Sequence, residues 1–375
     1  MESERSLYKQ VISPVLDRLD SEKMHVAARE GFHLAEMTPA GLWVLEKLCV
    51  YRHERFIDER LKVVVGGVEF ENPTMVGPGW DKIAHALGAL HRLGFSGTEV
   101  GSVLEYPQPG NDKPRQETVT HGNALVARNA LGFNSPGMEV VAENLEWYKR
   151  RNISTGIIGI SLGKNKNAQD APKAHAVVTE RLYKYASYFT INVSSPNTPG
   201  LRELQDKGPL TEIVQAVNSA MDKMGGRKPL FVKIAPDLTN DAVNDVIRVV
   251  MDNGLTGIVA TNTTNNPELK AKYGWGDKPG GLSGDDPKFR KMATEKVAHI
   301  YRETNGAIEV IGVGGVKDTE TALEKIRSGA KVIQIVTGIR GEGPGLPGRI
   351  NRGLVTYLDR ENIPTITELV GADVR

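Results

Sequence analysis

The sequence predicts a (β/α)8 barrel carrying a small helical extension, and three observations lead there. From about Asn72 onward, short β-branched runs recur eight times, at 74–77, 97–102, 156–162, 188–194, 230–235, 257–263, 308–315 and 332–338. Between them lie amphipathic segments, among them 81–93, 171–186, 241–253, 287–304 and 319–329, several closed by a glycine suited to a helix C-terminus. The runs are continuously apolar and not alternating, as strands covered on both faces must be. An open doubly wound sheet is the competing architecture, and it is weakened because no G-x-G-x-x-G turn follows the first run.

Residues 1–61 read differently from the barrel, which takes 62–375. Leu7, Val11, Ile12, Val15, Leu16 and Leu19 share one helical face, Met24, Ala27, Ala28 and Phe32 begin a second, and the apolar stretch 42–50 supplies a third. This extension holds 9 Lys and Arg against 11 Asp and Glu, so any membrane contact would rest on apolar burial and not on attraction to anionic lipid. Helices packed only on the barrel are an equally good reading. Segment 105–134 contains Pro107-Gln108-Pro109-Gly110-Asn111-Asp112-Lys113-Pro114, too rich in Pro and Gly for a helix, and is expected to form a hairpin or ordered loop over the barrel mouth.

Composition narrows the function. In 375 residues, 47 Lys and Arg balance 46 Asp and Glu, which gives no basic field for nucleic acid and points to small-molecule partners. A single cysteine, Cys49, excludes an intramolecular disulfide and a Cys-rich metal site and favours a reducing compartment. Its apolar setting favours a structural role over a catalytic one. No run approaches the length of a membrane span and the charged start is no secretory signal, so the chain is expected inside the cell.

Polar residues gather at the C-terminal ends of the predicted strands, the face where barrels place their chemistry. They are Asp81 and Lys82, Ser102, Ser161, Asn192 and Ser195, Lys233, Asn262, the turn Gly314-Gly315, and Thr337-Gly338. The densest cluster is Ile191-Asn192-Val193-Ser194-Ser195-Pro196-Asn197-Thr198-Pro199-Gly200, where amides and hydroxyls follow an apolar strand directly. Alone it would read as an ordinary Asn/Ser/Pro turn. Lysines on buried strands are costly unless an anion or electron-rich group meets them, which marks Lys82 and Lys233. For Lys233 the structural alternative is an internal salt bridge to Asp237. The glycine turns on the seventh and eighth strands suit a phosphate held by backbone amides.

With these residues in place, the chain resembles the dihydroorotate dehydrogenases, and its extension together with a serine in the base position resembles class 2, the membrane-associated, quinone-dependent group. The motifs are Gly110-Asn111-Asp112-Lys113-Pro114-Arg115, Leu131-Gly132-Phe133-Asn134, Gly163-Lys164-Asn165-Lys166, the segment 191–204, Val232-Lys233-Ile234-Ala235-Pro236-Asp237-Leu238, Ala260-Thr261-Asn262-Thr263-Thr264, Gly280-Gly281-Leu282-Ser283-Gly284 and Ile311-Gly312-Val313-Gly314-Gly315. The resemblance implies that Ser195 takes a proton from C5 of dihydroorotate while C6 gives hydride to N5 of flavin mononucleotide (FMN). It assigns Lys82, Asn129, Asn192, Asn197, Asn262 and Thr263, with Leu131, Gly132 and Phe133, to the pyrimidine. Amides suit a flat ring that displays donors and acceptors together. Lys233 would stand near flavin N1 and O2, where positive charge favours the reduced anion. Pro78, Gly79, Ser102, Ser161, Asn192, Thr261, Gly284 and Val336 would line the flavin, with Gly315, Thr337 and Gly338 at its phosphate, and no metal is required.

The sequence departs from the family pattern at four places. Ala130 stands where an arginine is common, Ser161 where an asparagine contacts the flavin, and Thr118 and Val336 where class 2 has an arginine and a tyrosine bordering the quinone. The expected function is oxidation of dihydroorotate to orotate in pyrimidine synthesis, with a quinone as acceptor. The alternatives are a related flavin barrel with another acceptor or pyrimidine, or a flavin-binding protein without turnover. The expected location is the inner face of the cytoplasmic membrane, or the cytoplasm if the extension only packs on the barrel.

Overall fold

In the computed structural model the chain closes a parallel barrel of eight strands: β1 (Thr74–Val76), β2 (Gly97–Val103), β3 (Ile157–Leu162), β4 (Tyr188–Asn192), β5 (Leu230–Ile234), β6 (Gly257–Ala260), β7 (Glu309–Val313) and β8 (Val332–Ile335). The structure describes residues 8, 13–16, 18–50, 52, 55–122, 124–197 and 200–374. Each strand pairs with its sequence neighbours and β8 returns to β1, the consequence of parallel crossovers repeated seven times. The crossovers run through the helices Leu87–Arg92, Met138–Arg151, Ala171–Leu182, Lys207–Met224, Asn240–Asp252, Pro287–Thr304 and Thr319–Arg327, and helix Leu346–Glu361 follows β8. Seven of the strands are buried along nearly their whole length, which is why they carry no polar alternation.

The strands end sooner than their composition predicts. β4 stops at Asn192, β6 at Ala260, β7 at Val313 and β8 at Ile335, because the residues that follow leave the ladder to form the mouth. Segment 81–93 is helical only over Leu87–Arg92. The buried Asp81 carboxylate accepts the backbone N–H groups of Ile83 (3.3 Å), His85 (2.7 Å) and Ala86 (2.8 Å), which holds the preceding residues in a loop. Asp81 is thus a structural anchor.

Segment 105–134 forms a hairpin, Gln116–His121 against Ala124–Asn129, and a third strand, Gly281–Gly284, joins its inner edge with Gly281 opposite Asn129. Two short antiparallel strands, Val63–Val65 and Val68–Phe70, lie at the opposite end, where Gly66 abuts Pro229 and Thr256 at the starts of β5 and β6.

The extension contains helices Ser21–Glu36 and Pro39–Cys49, capped by Asp20 and Thr38. Leu7, Val11 and Ile12, together with the side chains of Val15 and Leu16, lie outside the described residues. Of the face expected to be buried on helix Ser21–Glu36, Met24 and Phe32 are partly buried and Phe32 stacks on Trp80, while Ala27 and Ala28 are exposed. Toward the barrel the helix presents Glu22, His25, Phe32 and Glu36, which engage Arg115, the Trp80 carbonyl, the Trp80 ring and the Ala89 amide respectively. Polar partners on the barrel fix its rotation, overriding the weak apolar periodicity. Cys49 is half-buried, and burial raises its thiol pKa, as suits an inert packing residue.

Candidate active site

Four strand ends, those of β2, β3, β4 and β6, share one chain of hydrogen bonds. Ser161 at the end of β3 bonds Ser102 of β2 (3.0 Å), and Asn192 Nδ2 of β4 donates to Ser102 Oγ (2.7 Å). Beyond β6, Asn262 Nδ2 donates to Asn192 Oδ1 (3.3 Å) and to Ser194 Oγ (3.0 Å). Ring closure places these side chains together: Asn192 is in register with Lys233 of β5, and Ser161 with Gly101 of β2. Fixed donors leave each amide in one orientation, so the face it offers to a ligand is preset.

Ser195, three residues past β4, is buried, and its Oγ accepts the Asn197 backbone N–H (3.3 Å). That bond leaves the hydroxyl proton and a second lone pair uncommitted to it. The Asn197 Oδ1 and Thr263 Oγ1 atoms are buried without a hydrogen-bond partner among the described residues, the state of groups built to meet a polar ligand. Asn129 accepts the Leu131 N–H through Oδ1 (3.0 Å). Gln108 Nε2 grips the Gly132 and Phe133 carbonyls (3.1 Å each), and Phe133 sits at φ 54°, so the turn before Asn134 is held on both sides. Lys82 donates to Asn134 Oδ1. Burial first, then Arg115, push its ammonium down to about 7, while Glu22 opposes them.

Alongside this network opens a cavity lined by Pro78, Gly79, Asn129, Leu131, Lys233, Thr261, Asn262, Thr263, Gly284, Gly315, Val336, Thr337 and Gly338. Lys233 lies on its floor. The sequence-adjacent partner, Asp237, is taken by Arg202 (3.0 Å) and Thr264, so the internal salt bridge does not form. Burial lowers the Lys233 pKa, and the buried Glu99 carboxylate opposes that shift from below. Glu99 is itself held by Tyr188 Oη (2.9 Å) and Gln334 Nε2 (2.6 Å). At the rim, Gly79 has φ 104°, a backbone only glycine adopts freely, and a Cβ on Gly338 would fall 2.3 Å from the Val316 carbonyl. Backbone can therefore approach a ligand closely at Gly79, while Gly338 packs against Val316.

The same cavity extends to residues that sequence reasoning did not single out: His25 and Trp80, Gln116 on the hairpin, Asp285, Lys317 and Arg340. His25 Nε2 lies 2.6 Å from the Trp80 carbonyl, so that nitrogen carries the proton. Burial pushes the ring down to about 4, which leaves Nδ1 a lone-pair acceptor at neutral pH. Thr118 and Val336 border this part, and Gln116 makes only a long bond to Ser21 Oγ (3.4 Å). The charged donors here are committed within the protein, Lys317 to Asp285 and Arg340 to Ser13 Oγ. The Ala130 substitution leaves the side chain buried and apolar, and Ser161 bonds Ser102.

The sequence model of the family described as dihydroorotate dehydrogenase matches residues 60–358. Proteins named dihydroorotate dehydrogenase (quinone) are similar over most of the chain. The one from Rhizobium rhizogenes is 41% identical over 83% of this chain and 85% of its own length, and the one from Natronomonas pharaonis is 39% identical over 97% and 99%. Among solved structures, the DHODH from Eimeria tenella in complex with ferulenol superposes with a TM-score of 0.78 at 33% identity, covering 85% of this chain and 89% of that one. With a closed (β/α)8 barrel and these relatives, the chain belongs to the dihydroorotate dehydrogenase family.

Proposed function

We propose that the protein oxidises dihydroorotate to orotate in pyrimidine synthesis, with FMN as its cofactor and a quinone as electron acceptor. The observation that carries this reading is the junction of two differently built surfaces in one mouth: a hydrogen-bonded amide and hydroxyl network beside Ser195, and a cavity lined by a lysine, Lys233, that makes no ion pair among the described residues. The first matches a planar, doubly polar ring, and the second an electron-rich heterocycle.

Ser195 would take the proton from C5, with the uncommitted lone pair of Oγ as acceptor and the Asn197 N–H steadying the hydroxyl. Lys82 meets the substrate's carboxylate, Asn129, Asn192, Asn197, Asn262 and Thr263 hold its amide edges, and Leu131, Gly132 and Phe133 close over it. The cavity would take a flavin: Pro78, Gly79, Thr261, Gly284 and Val336 line it, Ser102 stands in the adjoining hydrogen-bonded network, Lys233 would answer negative charge on the ring, and Gly315, Thr337 and Gly338 would hold the phosphate. Ser161 would act through Ser102. Bound FMN supplies the two-electron carrier between pyrimidine and quinone.

At the acceptor end, neutral His25 spends its N–H on Trp80 and can only accept, so a quinone oxygen would look to Thr118 and Gln116 for donors. Most of the large hydrophobic side chains exposed among the described residues fall between Leu19 and Leu48, including Leu34, Trp43 and Leu48. We therefore read residues 1–61 as an acceptor-access segment resting on the membrane surface, since no helix among the described residues is long and apolar enough to cross one. The decisive test is anaerobic: the purified protein should be yellow with one FMN per chain and bleach on adding dihydroorotate. A colourless protein that fails to take up added FMN overturns the reading.

A further inference from the structure

We propose that the Glu22–Arg115 pair is a positioning device that ties the N-terminal helix to the pyrimidine pocket and governs how firmly Lys82 holds the substrate's negative charge. This inference rests on the function proposed above and concerns residues outside the contact set assigned there.

Arg115 is the junction. Its Nη2 and Nε donate to both Glu22 carboxylate oxygens (2.8 Å to Oε1, 3.1 Å to Oε2), the forked geometry that fixes a guanidinium in one plane. Its Nη1 donates to the carbonyls of Pro109 (2.5 Å) and Asn111 (2.8 Å). Both side chains are largely buried, at 10% and 15% exposure, so the pair is shielded from solvent far more than a surface ion pair. The loop it grips touches the pyrimidine contacts directly. Asn111 Nδ2 donates to the Ala130 carbonyl (2.8 Å) and reaches the Asn197 carbonyl (3.4 Å), two residues past Ser195. Gly110 lies so close to Leu131 and Asn134 that a Cβ there would fall 2.3 Å from the Leu131 carbonyl and 2.9 Å from the Asn134 Cβ. Asn134 is the partner of Lys82.

The charged and titratable groups around Lys82 are Glu22, His25 and Arg29 from the helix and Arg115 from the hairpin side. Asp81, beside it in the chain, is turned to backbone amides. Arg115 disfavours the charged ammonium and Glu22 favours it, so the two halves of the pair act on Lys82 with opposite sign. A purely structural clamp has no such sign.

The test follows dihydroorotate affinity against pH by anaerobic flavin reduction in the wild-type holoenzyme and in Glu22→Gln and Arg115→Gln. Wild-type affinity should fall as pH rises past the Lys82 midpoint. Glu22→Gln should move that midpoint down and Arg115→Gln should move it up, each by roughly 1 unit. The double variant should return toward wild type. Midpoints that move together, or do not move, overturn the proposal. Should Arg115→Gln fail to fold, Glu22→Gln alone decides: a downward shift supports the proposal, and an unchanged or upward one refutes it. Wild-type flavoprotein that dihydroorotate does not bleach would instead overturn the underlying functional reading.

Discussion

The side of this mouth proposed for the pyrimidine and the side proposed for the acceptor adjoin one cavity yet are built on opposite plans. On the pyrimidine side, side chains from β2, β3, β4 and the β6 end are bonded to one another before any ligand arrives. On the acceptor side, a hairpin and an N-terminal helix contribute Thr118, Gln116 and a histidine whose only N–H is spent on a carbonyl. Strand ends are fixed by the closed sheet, so chemistry that needs defined angles can be placed on them. Elements docked from outside carry no such constraint and can drift in sequence while the binding half stays intact.

The largest effect should come from the centre of the rigid side. Ser195→Ala is expected to keep flavin bound and slow its reduction by dihydroorotate by about two to four orders of magnitude, read by anaerobic stopped flow. An unaffected rate would locate the base elsewhere and dissolve the contrast. Asn262→Ala removes both bonds that tie the β6 end to Asn192 and Ser194. It should cost about 1–3 kcal/mol, seen as a roughly tenfold or greater rise in KM for dihydroorotate.

The pH response comes next. With its pKa lowered to about 7 in the free protein, Lys82 is charged below that pH and meets an anion without cost. Above it, binding must also recruit a proton, so KM should climb by up to about tenfold per unit. Lys82→Met should show weak binding without this step. A wild-type profile flat from pH 6 to 9 would contradict the assignment.

On the acceptor side, installing donors by Thr118→Arg with Val336→Tyr should strengthen quinone binding by about 0.5–3 kcal/mol per bond made. Reduction by dihydroorotate should be unchanged. If the first half-reaction also moves, the two sides are not separable. Smallest of all, Cys49→Ala should cost at most about 1 kcal/mol in unfolding and leave both half-reactions intact.

The barrel was legible because eight buried strands repeat one signal, and repetition corrects local errors. Strand ends were overrun where β-branched residues continue into the mouth, as at Thr261 and Thr263, since a residue leaving the ladder there changes partners and not side-chain type. Lys233 and Asn192 could be read because the fold alone brings strand ends together. Asp237 looked like the partner of Lys233 through sequence proximity, but it lies past the strand and meets Arg202 instead. Glu22 and Arg115 stand 93 residues apart, and no periodicity links them. His25 escaped for the same reason: its meaning comes from the Trp80 carbonyl, 55 residues away.

The N-terminal helix is inside out by the standards of a water-soluble protein, with Glu22, His25 and Glu36 against the barrel while Val26 and Leu34 face outward. Its grip on the barrel therefore combines buried hydrogen bonds, the Glu22–Arg115 pair and the Phe32–Trp80 stack, while its outer surface is greasy. High salt should leave the buried Glu22–Arg115 pair largely unscreened, and mild detergent should leave the grip alone and shield the outer face. A preparation made without detergent would lose solubility through this surface well before the barrel itself unfolds.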